Sequence, residues 1–188
     1  MRNKTVLRLS IDSMMAALYF VLAYFSIRLG NNLTISLGSL VIVLTSLLFD
    51  PLDSICVALI GESINQLAKY GISITTGLWL IPPLVRALTI SITAYIYKKK
   101  GYFLEDKKVA YFLTIIIAAL FTTACNSGII IVDAMLLDYP SSFTLVSMGF
   151  RFLSSFITSI VVSIIAILII KPLRKALRYN PSIEKTKE

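Results

Sequence analysis

Apolar residues gather along the chain into six long runs, approximately Leu9–Ile27, Leu33–Phe49, Leu52–Ala68, Leu78–Tyr97, Val109–Val132 and Val146–Ile170. Each approaches the ~20 residues with which a helix crosses a ~30 Å hydrocarbon core. The pattern therefore predicts an all-α integral membrane protein of six transmembrane helices. The third run is the least uniform, because polar residues interrupt it. The second starts differently: Thr34, Ile35, Ser36 and Leu37 alternate polar and apolar before Gly38, a period of two that suits extended chain. A short extended lid over the outer mouth, around residues 31–38, is expected there. No internal repeat or low-complexity segment appears. A single membrane domain over residues 1–188 is expected, ending in a basic tail at 171–188.

Composition strengthens this picture. The chain is 57% hydrophobic and 15% charged, with a mean hydropathy of +0.84, whereas soluble domains carry roughly 25% charged residues. Short loops and a tail leave no room for a soluble domain. Basic residues then set the orientation. Arg2, Lys4 and Arg8, the group Lys98–Lys100 with Lys107 and Lys108, and six in the tail make fourteen of the 18 Lys and Arg. All fall on one side if both termini are cytoplasmic. The net charge of +8 is thus a topology signal and not a nucleic-acid footprint, which needs basic residues on a soluble surface. The first run is long and lacks a small-residue cleavage site, so an uncleaved first helix is expected. With no histidine, and with Cys56 and Cys125 inside apolar runs, neither a metal site nor a disulfide is expected and both cysteines read as buried packing residues.

Polar residues inside spans cost a few kcal/mol each and mark function by default. Glu62, Asn65, Gln66 and Lys69 share one helical face, as do Trp79, Pro82, Pro83 and Arg86. The proline pair kinks its helix. Thr122, Asn126 and Asp133 share a face of the fifth helix, and Arg151, Ser154, Ser155 and Thr158 one of the sixth. With a ~1.5 Å rise per residue, Glu62 and Arg86 lie roughly 12 and 15 Å below the outer ends of their helices. Asn126 and Arg151 sit higher, and the inner halves are almost wholly apolar. The expectation is a pocket open to the outside and closed toward the cytoplasm, built from Glu62, Asn65, Gln66, Trp79, Arg86, Asn126 and Arg151. Each has a bland alternative. Glu62 and Arg86 also suit a buried ion pair, Asn65, Gln66 and Asn126 interhelical hydrogen bonds, and Trp79 an interfacial anchor. Arg151 has only Asp133 as an obvious acidic partner, and its guanidinium matches a carboxylate ligand.

On the first helix Ser13 and Ala17, with Ala16 beside them and Ala23 beyond, let another helix approach closely. Internal packing and docking of a partner membrane protein both fit. Ser155, Ser159 and Ser163 form a similar strip on the sixth helix. Catalytic and ATP-binding signatures are missing: no G-x-x-x-x-G-K-[ST], H-E-x-x-H or G-x-S-x-G occurs. Broken inverted repeats of the kind found in secondary transporters are not evident either. No enzymatic activity and no cofactor are expected.

These features resemble the substrate-binding S components of energy-coupling factor (ECF) vitamin transporters. TISLGSLVIVLTSLLFDPLDSICVALIGE is similar to that family's first loop and second and third helices, with Phe49, Asp50 and Pro51 at the inner turn. GLWLIPPLVRAL is similar to the start of its fourth helix. The resemblance implies a subunit that binds a water-soluble vitamin at the outer face and associates with a transmembrane coupling subunit and two ATPase subunits. It also implies toppling in the membrane to deliver the ligand. Ser13, Ala16 and Ala17 then become the coupling contact, and residues 31–38 the lid. The alignment is most natural with the folate-like and pantothenate-like branch, whose carboxylates Arg151 or Arg86 would neutralise. KYGISITTGLWLIPP departs from the folate pattern, so that pantothenate and a hydroxymethylpyrimidine-like precursor stand beside folate as candidate ligands. The rivals are a proton-coupled carrier that titrates Glu62 and Arg86, and a structural membrane protein without a ligand.

Overall fold

The computed structural model describes residues 4–29, 33–136 and 141–176. Six α-helices are present among them: α1 (Lys4–Tyr24), α2 (Gly38–Leu48), α3 (Pro51–Tyr70), α4 (Ile81–Lys99), α5 (Lys108–Leu136) and α6 (Ser141–Ala176). Single 3₁₀ turns at Leu78–Leu80 and Leu104–Asp106 precede α4 and α5. Between α1 and α2, β1 (Ile27–Leu29) pairs antiparallel with β2 (Leu33–Ile35), Ile27 opposite Ile35. The extended segment anticipated before Gly38 is this hairpin, whose second strand packs on α6. Residues 30–32 of the anticipated lid, and 177–188 of the basic tail, lie outside the described residues.

Three helical segments, Leu78–Lys99, Lys108–Leu136 and Gly149–Lys175, are long and apolar enough to cross a membrane by length and composition. α1 and α3 have the length but carry charges. α2 differs most from expectation. Its eleven residues rise only about 17 Å, and all of them are buried. A helix apolar on every side belongs inside protein, and α1, α3, α4 and α6 all pack on α2. One of its faces joins Met15, Ala16, Tyr19, Ala23, Val57, Ala58 and Ala87 in a core. Another joins Ile90, Tyr111, Ile115, Ala118, Val162 and Ala166.

The turn from α2 to α3 follows from its sequence. Phe49 ends α2, Asp50 caps α3 and Pro51 opens it with no N–H to satisfy. The Asp53 carboxylate accepts the Asp50 backbone N–H at 3.3 Å, one half of a capping box. At its other end α3 stops at Gly71, whose φ of +71° suits glycine alone.

Charges gather at the end of the bundle that holds this turn. Arg8 grips Asp53 from Nε at 2.8 and 2.9 Å and reaches Asp50 from Nη2 at 2.8 Å, while Lys98 stands 3.6 Å from Asp50. Arg174 of α6 pairs with Glu105 at 2.9 Å, donates to the Leu47 carbonyl at 2.8 Å and stacks on Phe103 at 3.5 Å. Burial pushes the Glu105 carboxyl above its ordinary value, and the Arg174 charge opposes that. A water-sized crevice beside the pair is lined by Ser46, Lys98, Phe103 and Glu105, among others. We call this the basic end and its opposite the hairpin end.

α1 and α3 run parallel, and Tyr19 of α1 lies across Gly61 of α3. A Cβ at Gly61 would overlap the Tyr19 ring. Gly61→Ala is therefore expected to destabilise the protein by about 1–3 kcal/mol, the usual cost of overpacking. The apparent Tm in detergent checks this. Combined with Tyr19→Ala the substitution should be nearly neutral, since the clash is then gone.

Candidate ligand-binding site

The polar residues of α3 are arranged around one carboxylate. Glu62 lies about 12 Å below the hairpin end of α3, eight residues before Tyr70. Its side chain is 6% exposed. Glu62 Oε2 accepts the Tyr19 hydroxyl at 2.7 Å, and Oε1 accepts Gln66 Nε2 at 2.6 Å. Asn65 Nδ2 lies 3.3 Å from both oxygens. The i, i+3, i+4 spacing read from the sequence puts both amides beside the carboxylate. Tyr19 was invisible to that reading, because it comes from another helix and looks like an ordinary aromatic core residue.

Glu62 and Arg86 do not form the ion pair that their similar depth suggested; no salt bridge joins them among the described residues. Glu62 is already occupied, and Arg86, half-buried on α4, is an electrostatic neighbour of the Tyr19 hydroxyl. Asn65 and Gln66 likewise bond within α3 and not across helices.

Trp79 sits on the 3₁₀ turn that packs against α3, α4 and α5, and its Nε1 donates to Asp133 Oδ2 at 3.1 Å. Asp133, the acidic partner considered for Arg151, is thus engaged by Trp79. Arg151 is exposed and is an electrostatic neighbour of Tyr70 at the end of α3. It stands about 15 Å into α6 from the hairpin end. Asn126 is half-buried. Neither Arg86, Asn126 nor Arg151 makes a side-chain hydrogen bond or ion pair with another described residue. Thr122 is spent within its own helix, donating to the Ala118 carbonyl at 2.6 Å.

Among the described residues, three buried polar atoms in this half of the bundle have no protein partner: Asn65 Oδ1, Ser127 Oγ and Asp133 Oδ1. Buried polar groups are nearly always paired, so such atoms are places for ligand or water. Ser127 was missed because a serine among apolar residues carries no periodic signal of its own.

The small-residue face of α1 divides. Ser13 and Ala17 are exposed, but Ala16 is 2% exposed and packs inside the bundle. Ala16 is therefore not available to a docking partner, because helical spacing turns it toward α2 and α3. Ser159 and Ser163 of α6 are buried too, where the Ser163 carbonyl accepts the Tyr111 hydroxyl at 2.8 Å. Both cysteines are free, and Cys56 is exposed, not packed.

A family model described as ECF-type riboflavin transporter, S component, matches residues 3–175. The chain belongs to this family. It is thus a multi-pass protein of the cell membrane, a non-enzymatic substrate-binding component of a vitamin transporter that works with an energy-coupling module. The fold is similar to that of a solved S component of a bacterial ECF transporter, with a TM-score of 0.67 and 20% identity over 93% of this chain and 99% of that one. No curated protein matches the chain in sequence.

Trp79 is the chain's single tryptophan, so intrinsic emission reports on this site. Asp133→Ala removes its acceptor and should shift the emission, at a stability loss of about 1–3 kcal/mol. Asp133→Asn keeps an acceptor and should stay close to the parent spectrum.

Proposed function

We propose that this chain binds riboflavin at the hairpin end, facing the outside, and delivers it through a coupling subunit and two ATPase subunits. The observation that carries this is the match of nearly the whole chain to the riboflavin S component family. The chemistry of the site agrees. Unpartnered buried acceptors at Asn65 and Asp133 call for ligand N–H or O–H groups, and riboflavin offers an imide N–H and a ribityl chain of hydroxyls. Pantothenate and folate, the expectation from the local sequence, add carboxylates that suit Arg86 and Arg151 but carry N–H and O–H donors as well, so the family match and not the acceptors favours riboflavin over them.

The asymmetry of Lys and Arg supports a cytoplasmic basic end. The β1–β2 hairpin then covers the outer mouth as a lid. Ser13 and Ala17, on the exposed face of α1, remain the contact for the coupling subunit. A proton-coupled carrier built on Glu62 and Arg86 loses its support, because the pair is not formed.

Titrating the purified protein with riboflavin should quench both the flavin fluorescence and the Trp79 emission, saturably, without competition from pantothenate or folate. Absence of quenching and of any thermal shift with riboflavin, alongside stabilisation by pantothenate or folate, would overturn this assignment. Mass spectrometry of the co-purifying ligand decides independently.

A further inference from the structure

A carboxylate has about four lone-pair sites, and three protein donors already surround that of Glu62. Oε1 faces Asn65 and Gln66, and Oε2 faces Tyr19 and Asn65. Both oxygens are engaged and the side chain is buried, which turns the carboxylate away from a ligand. A carboxylate only accepts, so both amides must turn their NH₂ groups toward it. Their carbonyl oxygens are thereby forced the other way, and Asn65 Oδ1 is buried without a partner. The Tyr19 ring, laid across Gly61, holds the carboxylate in place from α1.

We propose that Glu62 is a positioning residue that never touches the ligand. It fixes the amides of Asn65 and Gln66 so that the site presents acceptors, and so sets its preference for ligands that donate N–H or O–H. Tyr19 is the brace of this arrangement. The orientation of the amides holds for the ligand-free protein; only the selectivity rests on the riboflavin assignment above.

Two measurements separate the parts. In the full chain in detergent, with side-chain amides labelled with ¹⁵N, the NH₂ signals of Asn65 and Gln66 should lie downfield and move upfield in Glu62→Gln. Should that variant not fold, Glu62→Asp withdraws the carboxylate by one methylene and should produce the same movement. Signals that stay in place in a folded variant sink the proposal, whatever the ligand is. The second measurement compares riboflavin with N3-methylriboflavin, which lacks the imide N–H, and with lumiflavin, which lacks the ribityl hydroxyls. The parent protein should disfavour at least one analogue by about tenfold or more, the usual result of leaving a buried acceptor unpaired. Glu62→Gln frees the amides to flip and should narrow that ratio severalfold. Weaker riboflavin binding with both ratios unchanged would make Glu62 a direct contact or a packing residue and overturn the proposal. A parent protein that ignores riboflavin would overturn the ligand assignment while the amide signals still test the positioning.

Discussion

Eleven helical residues rise about 17 Å, little more than half of a ~30 Å hydrocarbon core, and α2 has no more than that. A helix ending in lipid would leave backbone N–H and C=O groups unsatisfied at several kcal/mol each. α2 therefore has to be enclosed, and much of the architecture follows from this. α1, α3, α4 and α6 supply its walls. At the basic end Arg174 reaches in to satisfy the Leu47 carbonyl in the last turn of α2. At the other end β2 leads into α2, and extended chain at ~3.3 Å per residue covers the missing height with few residues. The hairpin is thus the counterpart of a short central helix.

Lipid offers no hydrophobic drive for one helix to pair with another. α1 is instead fastened to α3 by polar ties along its length. Arg8 holds Asp53 at the basic end, Tyr19 holds Glu62 at mid-height, and Lys69 donates to the Ala23 carbonyl at 2.6 Å near the hairpin. Small residues bring the backbones close: Gly61 receives the Tyr19 ring, and a Cβ on Gly38 would stand 2.9 Å from Ala23 Cβ. The exposed face with Ser13 and Ala17 belongs to the same tied pair as Glu62. Motion of α1 as a body would carry the polar face of α3 with it.

How much of this the residues foretold depends on whether the deciding contact is local. The long runs, the period-two stretch before Gly38 and the stripe Glu62–Asn65–Gln66 are local patterns, and all three appear in the fold. The second apolar run begins before α2 does, because Leu33 and Ile35 are as apolar in a strand as in a helix. Which of the neighbours Ala16 and Ala17 points inward was illegible, since α1 is apolar on several sides. Tyr19, the Arg8–Asp53 grip and the Arg174–Glu105 pair join residues far apart in sequence, and their partners exist only once the helix order is known.

The missing Glu62–Arg86 bridge shows why depth alone misleads. Opposite charges at similar heights invite pairing, yet a buried ion pair must offset the desolvation of two ions. Glu62 has nearer donors, all neutral and two of them on its own helix, and these satisfy both oxygens. The consequence falls on the site. Arg86 and Arg151 keep N–H donors that no described residue uses, while Asn65 and Asp133 keep acceptor oxygens that none fills. A ligand that met both sets would turn acceptor groups toward the arginines and N–H or O–H donors toward the two oxygens.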